Sequence, residues 1–422
     1  MDMVCCPAAL KGSVEAPPSK SASHRAVICA ALARGETLLE NISFSQDIEA
    51  TLNCVQALGA QVEKGNDWVK IQGIRRASGQ AVLPCGESGS TLRFFIPIAG
   101  ALGCKAAFTG EGKLPSRPIA PLVEAMTPHG IAFDYQNTMP FSISGRMTGG
   151  DISIAGDISS QYLTGLLFAA PLLEGDNRIL LTTRLASRPY VEMTLEMMRA
   201  FGVQIEDIPG GWSIPGRQRY QAKERYGVER DCSNGAFFLT AGAVGREPVT
   251  VTGLNPRTAQ GDREIIPLLE RFGAKVERQG ERVTVSPGRL KAIRIDGEEI
   301  PDLVPVLCVA ASYAEGTTEI YHVGRLRLKE SDRLSAMADC LRRLGGRAQV
   351  GEDSILVTGA PLHGGTVSGY NDHRIVMSMA IAALGASGPV TVQGVQAVRK
   401  SYPNFFEDYQ KLGGNCHAVS VE

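Results

Sequence analysis

The sequence predicts an α/β protein made of six copies of one unit, grouped as two domains of three. Two periodic landmarks and the chain length carry that expectation. The first landmark is a bulky residue, then glycine, then a strand-like run, at Leu58-Gly59, His129-Gly130, Phe201-Gly202, Phe272-Gly273, Leu344-Gly345 and Leu412-Gly413. Successive glycines lie 71, 72, 71, 72 and 68 residues apart. The second is a Ser, Asp or Asn that opens an apolar, Ala-rich stretch, at Ser19, Ser88, Asp157, Asp231, Asp302 and Asn371, with intervals of 69, 69, 74, 71 and 69. Two independent markers in one register identify an internal repeat. At 422 residues the chain exceeds the size at which one core stops growing, so three units are assigned to each of two domains.

Within a unit the landmarks have a local cause. The side-chain oxygen of Ser, Asp or Asn satisfies orphan amide donors at a helix start, and glycine takes the left-handed conformation just past a helix end. Each unit therefore reads helix, strand, helix, glycine, strand. The segment Ala9 to Pro18 ahead of the first cap reads as a strand with no helix of its own. It is expected to complete the last unit of the C-terminal half, because a cyclic permutation is tolerated where termini lie together. Pro17-Pro18 stiffens the chain there. The third unit ends near Pro209-Gly210-Gly211-Trp212, and polar residues from Arg217 to Arg230 precede the next cap at Asp231. The expected division is one domain of residues 1–18 and 229–422 and another of residues 19–228, with a hinge near 18–20 and 226–230.

Composition narrows the function. Hydrophobic residues at 44% and charged residues at 21% fit an ordinary globular protein. A net charge of −1 gives no global attraction to nucleic acid or an anionic membrane, so any anion must be held by locally clustered Lys and Arg. The longest apolar tracts, Phe94 to Phe108 and Tyr162 to Leu173, fall short of a membrane span and read as buried helices. The opening residues, Met1 to Pro7, show no export signal. Ten cysteines without CxxC pairs and six dispersed histidines point to a reduced cytoplasm and to no metal and no cofactor.

Three of the cap regions hold a cation one turn into the helix: Ser19-Lys20-Ser21-Ala22-Ser23-His24-Arg25, Ser88-Gly89-Ser90-Thr91-Leu92-Arg93 and Asn371-Asp372-His373-Arg374. The positive end of a helix dipole is a poor place for a cation unless an anion sits between them. Amides, hydroxyls and a guanidinium together form an anion cradle. The third cap, Asp157-Ile158-Ser159-Ser160-Gln161, offers neutral donors that suit phosphate or plain capping equally. Further cations lie in polar loops at Lys113 and Arg117, Arg188, Lys329 and Arg333, and Arg399-Lys400. Arg75-Arg76 and Arg342-Arg343 lack that context and read as solvated faces.

In order along the chain, Pro18-Ser19-Lys20-Ser21 through Arg25, Gly89 through Arg93, Arg117-Pro118-Ile119, Ser159-Ser160-Gln161, Ser187 with Tyr190, Pro301-Asp302, Lys329-Glu330-Ser331-Asp332-Arg333-Leu334, Asn371 to Arg374 and Lys400 resemble the signatures of the 5-enolpyruvylshikimate-3-phosphate synthase family. The resemblance covers essentially the whole chain. It implies two domains, each of three βαβαββ units about a pseudo-threefold axis, the enolpyruvyl transferase-like inverse α/β barrel. It also implies a monomer that binds small anions, without nucleic acid or membrane, and that is inhibited by glyphosate. The implied reaction moves the enolpyruvyl group of phosphoenolpyruvate to the 5-hydroxyl of shikimate 3-phosphate, on the route to chorismate. By that resemblance Lys20, Gly89, Arg117, Gln161, Arg333, Arg374 and Lys400 grip phosphoenolpyruvate. Ser21, Arg25, Ser159, Ser160, Gln161, Ser187, Tyr190, Asp302 and Lys329 serve the acceptor. Asp302 looks like the base for its hydroxyl and Glu330 the proton shuttle, with Lys20 able to help.

Two positions depart from the family pattern. Glu87 stands where the family often has Asn, and Arg325 lies near where many members present an amide. The nearest rival is UDP-N-acetylglucosamine enolpyruvyl transferase, which typically carries a cysteine on the mobile loop; here that loop reads Gly112-Lys113-Leu114-Pro115-Ser116-Arg117. A DNA sliding clamp, also six α/β units, would need a basic lining and no acid–base pair.

Overall fold

The computed structural model describes residues 1–419, which form two compact units: 1–19 with 229–419, here the C-terminal unit, and Lys20–Val228, the N-terminal unit. The N-terminal unit contains helices α1 (Lys20–Leu32), α2 (Gln46–Ala57), α3 (Gly89–Leu102), α4 (Ala120–Met126), α5 (Ser160–Ala169) and α6 (Arg188–Ala200). The C-terminal unit contains α7 (Cys232–Val244), α8 (Ile265–Phe272), α9 (Val304–Ser312), α10 (Arg333–Arg343), α11 (His373–Ala382) and α12 (Phe405–Lys411).

Each repeat supplies one four-stranded sheet, and all six share a topology in which a parallel pair is extended by two antiparallel strands. Gln80–Pro84 runs parallel to Lys105–Thr109, for example, and Phe141–Gly145 and Ile131–Asp134 follow antiparallel. Read with its helices this repeat is β-α-β-α-β-β. The odd-numbered helices are buried on nearly every side, as α7 shows from Cys232 through Ala243. An all-round apolar helix belongs in a core, whereas the even-numbered helices keep a polar face outward. In the C-terminal unit α7, α9 and α11 pack on one another. In the N-terminal unit His24 of α1 meets Phe94 of α3 edge-on, and Phe94 meets Phe168 of α5 at 5.8 Å. Gly165 lets α5 lie close to α3, since a Cβ there would run into the Arg93 carbonyl oxygen.

The glycine landmarks fall where their chemistry requires. Gly59, Gly130, Gly202, Gly273, Gly345 and Gly413 all follow a helical segment with positive φ, between 80° and 112°. The cap landmarks are less exact. Ser88 and Asp231 cap α3 and α7 by accepting from Thr91 N and Asn234 N. At two positions the cap has moved: Ser159 rather than Asp157 caps α5, and Asp372 rather than Asn371 caps α11. Asn371 itself adopts φ of 52°, which aims the next carboxylate at the helix start. Asp302 precedes α9 without capping it, because Leu303 holds that position.

Two further expectations are corrected. The tract Phe94 to Phe108 is not one helix; α3 stops at Leu102, Gly103 turns with φ of 68°, and Lys105–Thr109 is a strand. The strand inside Ala9–Pro18, Gly12–Glu15, joins the first sheet of the C-terminal half, parallel to Val249–Thr252. The last sheet is completed instead by Asp2–Cys6, inserted antiparallel between Val390–Gln393 and Asn415–Val419. That pairing spans nearly the whole chain, so no local pattern announces it.

Candidate active site

In the N-terminal unit the predicted residues stand in the first turns of α1, α3, α5 and α6, with Arg117 in the loop ahead of α4. Lys20 Nζ lies 3.0 Å from Asp47 Oδ2, and both side chains are mostly buried. Arg25 is buried and spends its guanidinium on the fold: Nε donates to Thr194 Oγ1 at 2.9 Å, Nη1 to the Ser21 carbonyl at 2.7 Å and Nη2 to the Tyr190 carbonyl at 2.8 Å. Burial pulls its pKa down to about 10. The backbone at Ser21 and Tyr190 is thereby tied to one side chain. Arg117 lies over Gly89, where any Cβ would collide with its guanidinium, which accounts for glycine at that position.

Gln161 has a fixed orientation. Its Oε1 accepts from Arg93 Nη1 at 2.5 Å and its Nε2 donates to Ser90 Oγ at 2.9 Å, so the amide cannot flip without placing like groups together. Arg93 Nη2 and Tyr162 Oη both donate to the Pro118 carbonyl, which holds the chain just after Arg117. Ser159 accepts from Gln161 N, Ser160 begins α5, and Ser187 sits at the start of α6 with φ of 55°. Ser187 is buried and Tyr190 half-buried. The Glu87 carboxylate lies against Gly112 of the loop that carries Lys113.

In the C-terminal unit the predicted residues gather around Arg333, only 2% exposed. Its Nε donates to Asp372 Oδ2 at 2.8 Å, Nη1 to Asp302 Oδ1 at 2.8 Å and Nη2 to Glu330 Oε2 at 2.7 Å. Arg374 takes the other Asp302 oxygen, with Nη2 to Oδ2 at 3.0 Å, and its Nη1 donates to the Asp302 carbonyl at 2.9 Å. Lys329 Nζ is 4.0 Å from Asp302 Oδ1. Lys400 is buried and donates to the Asn371 carbonyl at 2.7 Å. Arg325 donates to the Glu298 carbonyl.

The electrostatics follow from these contacts. Burial alone would raise the Asp302 carboxyl, but Arg374, Lys329 and Arg333 outweigh it and hold the group well below the usual carboxylate range. Burial brings Lys329 down to about 8 against the pull of Asp302. Arg333, although buried, is held above its ordinary value by Asp372, Glu330 and Asp302. A buried cation with three carboxylate partners is a fixed framework, and one carboxylate shared by three cations is a group whose basicity changes when those cations find another anion.

Sequence reasoning left out several participants. Asp372 is fully buried, caps α11 through Arg374 N and also accepts from Ser331 Oγ at 3.0 Å, so it is the anchor of Arg333. Its motif was visible, but a capping Asp shows nothing of its second partner. Asp47 pairs with Lys20 from 27 residues away, and Asp262, near Asp302 and Arg374, comes from a separate turn; neither leaves a sequence signal. Among the described residues no group of three or more His, Cys, Asp or Glu is placed to hold a metal, and no helix is long and apolar enough to cross a membrane.

Comparison with known proteins bears on these clusters. The family model for EPSP synthase (3-phosphoshikimate 1-carboxyvinyltransferase) matches residues 4–409. The chain is 41% identical to the 3-phosphoshikimate 1-carboxyvinyltransferase of Clostridium kluyveri, covering 98% of both chains. It is 42% identical to the enzyme of that name from Methanocorpusculum labreanum over 98% of this chain and 99% of the other. A solved EPSP synthase from Acinetobacter baumannii superposes over the full length of both chains with a TM-score of 0.82 and 27% identity. The enolpyruvyl transferase NikO from Streptomyces tendae, at 20% identity and a TM-score of 0.81, shares the fold. With the match running through both units and every motif described above, the chain belongs to the EPSP synthase (3-phosphoshikimate 1-carboxyvinyltransferase) family.

Proposed function

We propose that this protein transfers the enolpyruvyl group of phosphoenolpyruvate to the 5-hydroxyl of shikimate 3-phosphate and releases phosphate. The observation that carries the mechanism is the Asp302 carboxylate, bonded by Arg333 and Arg374 and approached by Lys329. In that state it is a weak base. An incoming phosphate or carboxylate competes for the same cations; as they turn to the ligand, the Asp302 pKa rises toward a useful value. The carboxylate then takes the hydroxyl proton while oxygen attacks C2 of phosphoenolpyruvate, and Glu330 or Lys20 delivers a proton to C3. Loss of phosphate from the tetrahedral adduct, with a C3 proton returned to the same acid and the proton held by Asp302 leaving with the phosphate, restores the double bond and both groups.

The assigned partners follow chemistry. Lys20, Arg117, Arg333, Arg374 and Lys400, with Gly89 and Gln161, take the phosphoenolpyruvate anion. Ser21 and Arg25 take the acceptor carboxylate; Ser159, Ser160 and Ser187 take its phosphate, with Gln161, Tyr190 and Lys329 alongside. Arg25 can meet the acceptor without giving up its bonds to the fold, since Thr194, Ser21 and Tyr190 take three of its five N–H donors and leave one on each of Nη1 and Nη2. We place the enzyme in the cytoplasm as a monomer acting on small anions rather than nucleic acid, in keeping with its net charge of −1.

The test is a coupled phosphate-release assay with two acceptors. Phosphate appears with phosphoenolpyruvate and shikimate 3-phosphate; release only with UDP-N-acetylglucosamine would overturn the acceptor. The two crossings near residues 18–20 and 226–230 are proposed as a hinge on which acceptor binding acts. X-ray scattering is expected to give a smaller radius of gyration with saturating shikimate 3-phosphate, and an unchanged curve refutes the hinge.

A further inference from the structure

The far end of the N-terminal unit carries a second concentration of cations that the reaction does not use. The C-terminal ends of α1, α3 and α5 open onto a cavity of 480 Å³, a size typical of small-ligand sites. Its floor is formed by Leu32, Leu102 and Leu172, which are 70 residues apart and end the three helical segments, with Ile74 beside them. All four are half-buried. Around this apolar floor stand Arg34, Arg75, Arg146, Arg217 and Arg219, against the single acid Glu174.

Helix capping does not require five of them. At each of these helix ends a backbone amide of the same repeat already serves one carbonyl: Ile74 N donates to Ala31 O at 2.7 Å, Met147 N to Gly100 O at 2.9 Å, and Gln218 N to Pro171 O at 2.8 Å. Three helix dipoles contribute only about −1.5 charges together, leaving the five guanidiniums well in excess. Ion pairing does not account for them either. Arg217 lies 3.5 Å from Glu174 with both side chains 74% exposed, a weak contact. Among the described residues, Arg34, Arg75, Arg146 and Arg219 have no carboxylate at ion-pair distance. Nor does the repeat dictate a free cation at every copy. In the C-terminal unit Arg289, after the strand Arg282–Ser286, is held by two 3.0 Å bonds to Glu315, and Gly359-Ala360-Pro361 after Ser354–Thr358 brings no cation.

We propose that this cavity is a binding site, separate from the catalytic residues, for a small anion with several negative groups on an apolar body. The body covers the leucine floor, which gains by leaving water, and carboxylates or phosphates meet the guanidiniums bidentately.

Calorimetric titration of the full-length protein tests this with benzene-1,3,5-tricarboxylate, which joins a flat apolar ring to three carboxylates, and with tripolyphosphate, which lacks the ring. The tricarboxylate is expected to bind with a stoichiometry of one and more tightly than tripolyphosphate. The triple variant R75Q/R146Q/R219Q changes only exposed side chains and is expected to keep its turnover while losing about tenfold in affinity per guanidinium. Lys20→Ala, at the opposite ends of the helices, is expected to leave this binding unchanged. Equal binding by the triple variant, or loss of binding in Lys20→Ala, places the anion elsewhere and overturns the site. Tighter binding of tripolyphosphate overturns the apolar body, and no binding of either anion overturns the proposal, leaving the ring to a macromolecular partner.

Discussion

Asp302 shows how much a residue's role depends on its neighbours. Each of its oxygens accepts from a different arginine, and its pKa is held low by the same groups proposed to grip substrate. Removing it therefore has opposite effects on binding and on chemistry. In Asp302→Ala, Arg333 loses one of three carboxylate partners and Arg374 loses its side-chain acceptor there, so both are freer to meet phosphoenolpyruvate. Binding of that anion is expected to hold or tighten, while kcat falls by roughly 10² to 10⁴, the worth of a general base. Equilibrium binding and steady-state turnover on one preparation check both halves. A fall in kcat of less than tenfold removes Asp302 from the catalytic roles, and weakened binding refutes its competition with the ligand.

At the scale of elements, the part of the fold that local chemistry dictates is the part a reader of the sequence finds. A glycine past a helix end needs only its own φ, and all six landmark glycines have it. A cap needs an amide two or three residues away, so the landmarks are right at Ser88 and Asp231 and one or two residues out at Asp157 and Asn371. Asp231 gives the element-scale prediction. Its carboxylate accepts from Asn234 N at 2.8 Å at the start of a helix buried on nearly every side, so Asp231→Ala is expected to cost about 1 to 2 kcal/mol in denaturant unfolding. A loss below a few tenths would mean water satisfies those amides. Pairings over long separations stayed out of reach: Asp2–Cys6 in the last sheet, Asp47 under Lys20 and Asp372 behind Arg333 depend on what the rest of the chain brings alongside. The same limit hid the arginine ring, because Arg75 reads as a solvated surface residue until Arg146 and Arg219 appear beside it.

At the scale of the whole molecule, each unit buries a titratable group whose pKa the fold shifts, and the two, Asp262 and His24, respond to pH with opposite signs. Asp262, in the C-terminal unit, bonds Ser233 Oγ at 2.5 Å; burial and then the charge of Asp302 push its pKa up to about 7. The folded state thus holds a proton that the unfolded chain gives up near 3.8, so this stabilisation is complete below 3.8 and is lost as pH rises through about 7. His24, in the N-terminal unit, is buried with Nδ1 2.7 Å from Thr51 Oγ1; burial, then Lys20 and Arg25, hold its pKa well below 6.5. Its neutral ring is matched to the fold above 6.5, and stability is lost as pH falls below that value while the unfolded chain takes the proton. Asp262→Asn keeps an acceptor for Ser233 without a charge, and His24→Asn keeps a partner for Thr51 that does not titrate. Native-state hydrogen exchange, read separately on peptides of each unit, distinguishes the two effects. Between pH 4 and 7, the protection lost on raising pH in the C-terminal unit is expected to be smaller in Asp262→Asn. The protection lost on lowering pH in the N-terminal unit is expected to be smaller in His24→Asn. Parallel pH profiles of parent and variant in either unit would show that the buried group does not set that unit's acid–base response.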